Sequence, residues 1–124
     1  MRWFQFVAVY LDLKGKKMKF LFLGRYSNDG LAGFLQNPGD DRRAAISAMV
    51  EKSGGTFIDL QFLRGKYDIA VVAEVASFED AAAVKVLVAA SGALNDLEML
   101  EYIDMNDIAG RANKMTGAYR APGG

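Results

Sequence analysis

One stretch of the sequence, Tyr67–Val75, limits the rest more than any other. In an extended chain Ile69, Val71 and Ala73 fall on one face and Ala70 and Val72 on the other, so both faces are apolar. A strand of that kind belongs in the middle of a sheet, with something covering each side. The short Arg64-Gly65-Lys66 segment before it suits a hairpin turn, which makes Thr56–Leu63 its antiparallel neighbour. In that neighbour Ile58, Leu60 and Phe62 alternate with Asp59 and Gln61, the pattern of a strand with one buried and one partly wet face.

The remaining elements arrange themselves around this pair. Met18–Arg25 reads as another buried strand, since Phe20, Leu21, Phe22 and Leu23 form an unbroken apolar run. Ser27-Asn28-Asp29-Gly30 reads as a turn, and Leu31, Phe34 and Leu35 share a short helical turn over the sheet end. Asp40 and Asp41 stand where a helix N-terminus favours negative charge, and Ala45, Ile46, Met49 and Val50 then repeat at helical spacing up to Ser53-Gly54-Gly55. Ser77 with Asp80 three residues on opens a second helix, Phe78–Ala90. Its stripes Ala81, Val84, Val88 and Ala82, Val86, Ala89 leave so little polar surface that it must be covered on more than its sheet side. Leu94–Ile103 is a fourth strand, with Leu97 and Met99 on one face and Glu98 and Leu100 on the other. Asn106–Lys114 is a last short helix, and the tail Met115–Gly124 must dock or fray.

At the start of the chain, Arg2–Leu13 favours a strand, centred on residues 3–11, that pairs with a sheet edge or a neighbouring subunit. Met18 is a plausible start, so residues 1–17 read as an extension to a domain spanning 18–124. Beyond it the order strand, helix, strand, strand, helix, strand predicts an α+β ferredoxin-like βαββαβ sandwich, with an antiparallel sheet and helices on one face. Phe57 and Leu63 are expected on the face that the helices do not reach, and pairing with the sheet of a second copy would cover it.

The functional classes narrow by subtraction. With no Cys and no His among 124 residues, thiolate nucleophiles, Ser-His-Asp triads, zinc ribbons, iron–sulfur clusters and His-ligated haem are all excluded. The glycines form no phosphate-cradling fingerprint, and Asp40-Asp41, Asp104 and Asp107 lack calcium-loop spacing, so no cofactor or metal is expected. Six basic residues within 1–25 (Arg2, Lys14, Lys16, Lys17, Lys19, Arg25) face one acid, Asp12, while the whole chain is neutral. They form no basic face with interleaved readout residues, so no nucleic-acid partner is expected. The apolar run Trp3–Leu11 precedes its lysine cluster, the reverse of a secretory signal, and is too short to span a membrane, which makes the cytoplasm the default location.

Five residues remain as site candidates. Tyr67 and Asp68 open the central strand: Tyr67 fills a core edge or donates to a ligand, and Asp68 accepts from turn backbone or acts as a base. Tyr26 is a second phenol at a strand end, and Arg42, like Arg43, either pairs with Asp40, Asp41 or a neighbouring subunit or holds an anion. Arg120, next to Tyr119 in the tail, clips the tail to the core or closes a pocket.

Gly65, Tyr67 and Asp68, with Lys66 between, resemble the signature of the GYD domain family. Arg42-Arg43-Ala44-Ala45, Ser53-Gly54-Gly55, Ser91-Gly92-Ala93 and Tyr119-Arg120-Ala121-Pro122-Gly123 are similar to the family as well, so the resemblance runs from about residue 18 to the end. Residues 1–17 depart from it. The resemblance implies a dimeric α/β-barrel, two ferredoxin-like subunits with their sheets pressed together, and no fixed reaction, since that architecture hosts polyketide monooxygenases, isomerases and non-catalytic proteins. The expected function is a homo-oligomeric assembly or small-molecule-binding protein. The alternative is a cofactor-free enzyme acting on a small aromatic or anionic molecule, with Tyr26 and Tyr67 as donors, Asp68 as base and Arg42 or Arg120 holding the anion.

Overall fold

A computed structural model describes residues 17–124. The strand expected at residues 3–11 therefore lies outside the described residues. The elements are β1 (Met18–Tyr26), α1 (Asn28–Gln36), α2 (Arg42–Lys52), β2 (Thr56–Phe62), β3 (Ile69–Val75), α3 (Phe78–Ala90), β4 (Leu94–Glu101) and α4 (Met105–Asn113). The strands form one antiparallel sheet in the order β2-β3-β1-β4. This is the ferredoxin-like α+β arrangement, with β3, the strand apolar on both faces, inside the sheet.

Strand register decides which side chains meet the helices. Phe22 stands opposite Val71 on one side and Met99 on the other, and Leu60 stands opposite Val71 in turn. These residues join Phe20, Ile69, Ala73 and Val75 from the sheet, Val50 from α2, and Ala81 and Val84 from α3 in one core. Burying each large aliphatic side chain of this set stabilises the fold by about 1.5–3 kcal/mol. The opposite face carries Leu21, Leu23, Ala70, Val72 and Leu100, paired as Leu21 with Val72 and Leu100 and Leu23 with Ala70. Among the described residues no helix lies over it.

The expectation that Phe57 sits on that open face is overturned. The β2 register shifts between Phe57 and Asp59, so that Phe57 pairs with Ala73 and Asp59 with Val72. The extra residue, Ile58, moves the pleat by one, which turns Phe57 inward against the core and leaves Ile58 unpaired and exposed. Leu63 lies beyond β2, where its N–H donates to the Asp68 carbonyl at 2.8 Å across a loop longer than the expected tight turn. Tyr67 and Asp68 belong to that loop rather than to the strand.

Every helix starts on an acceptor side chain. Ser27, Asp41, Ser77 and Asp104 cap α1 to α4, each accepting the N–H three residues on. Ser27-Asn28-Asp29-Gly30 is therefore a helix start and not a turn. Ser27 does more than cap: its Oγ donates to the Gly92 carbonyl at 2.6 Å, and its N–H donates to the Ala93 carbonyl at 2.8 Å. A Cβ at Gly30 would collide with the Ala93 carbonyl, so only glycine permits this approach. Above the sheet end Phe34 of α1 meets Tyr26 edge-on at 5.2 Å and Phe62 at 5.9 Å.

Candidate functional site

Between the helix-facing side of the sheet and helices α2 and α3 lies a partly open cleft of about 300 Å³. That volume is at the small end of ligand pockets. Its floor is Phe22, Gly24, Ile69, Val71 and Leu97, and its walls are mainly aliphatic residues such as Met49, Val84 and Val88. A Cβ at Gly24 would sit 3.1 Å from the side chains of both Ile69 and Leu94, so the glycine keeps the floor open.

Among the described residues three polar side chains line the cleft: Tyr26, Arg42 and Ser91. Ser91 is occupied by its own helix end, its Oγ donating to the Val88 carbonyl at 2.6 Å and accepting from the Ala93 N–H at 3.2 Å. Arg42 directs its fork onto Asp40, with Nε 3.0 Å from Oδ1 and Nη2 3.2 Å from Oδ2. Tyr26 is half-buried. Burial raises its phenol pKa above the ordinary 10.0, Arg42 opposes the rise, and the carboxylates of Asp68 and Asp40 add to it. The hydroxyl thus stays protonated near neutral pH.

Asp68 stands behind this rim and does not line the cleft. Its N–H donates to the Gly24 carbonyl at 2.8 Å, and its Oδ2 accepts the Tyr26 N–H at 2.9 Å. The β1–β3 ladder ends at Gly24 and Ile69. The Asp68 carboxylate therefore supplies the acceptor that the next strand residue would have offered, and holds the end of β1 in place. The backbone it serves is that of β1, not of its own turn.

Tyr67 points elsewhere. Its phenol is pushed up to about 12, first by the Glu98 carboxylate beside it, then by burial and by Asp96. Glu98 and Asp96 alternate with the cleft residue Leu97, so they and Tyr67 belong to the open face of the sheet. The Tyr67 hydroxyl is shielded from solvent and makes no hydrogen bond to a described residue. Arg120 lies in the exposed tail and is not among the cleft residues. The structure thus brings Tyr26, Arg42 and Asp68 together and leaves Tyr67 and Arg120 apart from them.

Arg43 forms a separate clamp, with Nη2 donating to the Leu60 carbonyl at 2.7 Å, Nη1 3.5 Å from Asp59, and the guanidinium over the Phe57 ring. Ser27 and Gly24 were not recognisable as site-shaping residues from spacing alone. A serine followed by glycine three residues later was the one available sign of the Ser27 cap.

Among the described residues no group of carboxylates is placed to hold a metal ion. Nor is any helix long and apolar enough to cross a membrane. The model of the GYD domain family matches residues 20–111, well over half of the chain. No curated protein matches the sequence.

Proposed function

The chain belongs to the GYD domain family, and from that premise we propose that it is a small-molecule-binding protein that works as a homo-oligomer. The observation that carries the binding reading is the cleft of about 300 Å³ between the sheet and helices α2 and α3, apolar except at its rim. A core packed for stability alone leaves few voids of that size. Assembly is supported by the apolar surface that one chain leaves uncovered. Val86 and Leu87 of α3 are 67% and 61% exposed, Met105 and Ile108 of α4 are exposed, and Leu21, Leu23 and Val72 on the open face are only partly buried. Residues 1–17 are proposed as an extension to the domain of residues 18–124, pairing with a sheet edge or a second copy.

A neutral naphthylamine dye whose fluorescence rises in apolar surroundings tests the binding reading. It is expected to light up with the full chain and to stay dark with Ala45→Trp, which places an indole in the cleft from an exposed position of α2. Equal fluorescence with both proteins would place the dye on the surface and sink the proposal. A cofactor-free enzyme remains the second reading, favoured by Tyr26 and Arg42 on the rim with the carboxylates of Asp40 and Asp68 close behind them. It requires the Asp68 carboxylate to leave the Tyr26 N–H before it can take a proton from a ligand in the cleft.

A further inference from the structure

The polar groups at the rim of the cleft differ in what they still have to offer. Ser91 is saturated by backbone groups of its own loop. Arg42, the one cation lining the cleft among the described residues, is held by Asp40 through two hydrogen bonds, which offset its charge and occupy Nε and Nη2. Asp68, set behind the rim, adds a further carboxylate close to Tyr26, so one guanidinium stands against two carboxylates where an anion would enter. The Tyr26 hydroxyl is claimed by no described residue, and it is a donor.

Resting on the binding reading above, we infer that the cleft takes a neutral, largely apolar ligand carrying one hydrogen-bond acceptor, of the aryl ketone class, and selects against carboxylates. The aliphatic floor and walls accept the rings, and the Tyr26 phenol donates to the carbonyl oxygen. A carboxylate of the same shape would lose its hydration and gain no free cation in return. Burial and the two neighbouring carboxylates keep the phenol protonated, which maintains the donor across the neutral range.

Calorimetric titration of the full chain with acetylnaphthalene and with naphthoate, similar in shape and different in charge, tests the inference at neutral pH. The ketone is expected to bind at least roughly tenfold more tightly than the carboxylate. Tyr26→Phe keeps the ring edge-on to Phe34 and is expected to weaken ketone binding about three- to tenfold while leaving naphthalene unaffected. Asp40→Asn releases Arg42 and is expected to tighten naphthoate binding by up to roughly fivefold. Naphthoate binding as tightly as the ketone to the unmodified chain would overturn the ligand class and leave the cleft as a binding site. If neither compound binds, the ligand class and the binding reading fall together.

Discussion

At the scale of single residues, Asp68 and Tyr67 stand side by side in the sequence and do unrelated work. Asp68 closes the ladder at the end of β1 through the Tyr26 N–H. Asp68→Ala leaves that donor without its acceptor and is expected to cost about 1–3 kcal/mol in denaturant unfolding, whereas Asp68→Asn retains a side-chain oxygen and is expected to cost less. Equal losses for the two would mean that charge, not the hydrogen bond, is what the position supplies. Tyr67 carries a hydroxyl bonded to no described residue, so Tyr67→Phe is expected to leave the thermal midpoint near neutral pH unchanged. The pH dependence is a sharper check. With its phenol raised from 10.0 to about 12, folded Tyr67 holds its proton more tightly than the unfolded chain does. Ionising the phenol therefore weighs against the folded state, so stability is untouched by it below pH 10.0 and falls as pH rises through about 12. Tyr67→Phe should flatten that part of the stability profile and remove a phenol that ionises at about pH 12 from an ultraviolet titration.

Among the elements, legibility in the sequence followed the strength of periodic signals. β3 was readable because an apolar run on two faces has one place in a sheet, and α2 and α3 because helical spacing and a capping side chain agreed. The bulge in β2 was not readable. Thr56–Phe62 alternates well enough to pass for a regular strand, and the extra residue at Ile58 shows only once Ala73 and Val72 are there to pair with. The start of α1 was missed because Ser, Asn, Asp and Gly favour turns and helix caps alike, and the choice is made by the Gly92 and Ala93 carbonyls, 65 or so residues away. Ser27→Ala removes both the cap and that long-range bond, and is expected to lower stability by about 1–3 kcal/mol. Ser27→Thr, which keeps the hydroxyl, would recover part of it. A loss of the same size in both variants would point to crowding at this buried position and not to the hydroxyl.

For the molecule as a whole, the ferredoxin-like order of strands was legible and the grouping at the cleft only in part. Tyr26 ends β1 and Tyr67 lies in the loop before β3, and only the register of β4 shows that one phenol meets the helices while the other meets Glu98. Sedimentation of the full chain is expected to give a dimer or larger assembly at micromolar concentration, and a monomer would remove the case for assembly. Deleting residues 1–17 is expected to lower stability or change the oligomeric state, and an unchanged profile would make the segment a passive addition. The tie from Ser27 to Gly92 and Ala93 bears on how the chain acquires its shape over time. It joins the segment after β1 to the segment before β4, so its closure is tied to the pairing of β1 with β4. Amide exchange at Ser27 and Gly30 should accordingly be faster than at Phe22 or Val71, since a seam at the end of a strand pair opens more readily than the buried core strands. Ala93 and Ser91 border the cleft beside that seam. A molecule could therefore enter through a brief local opening there, at a fraction of the free energy of unfolding and with the sheet beneath it undisturbed.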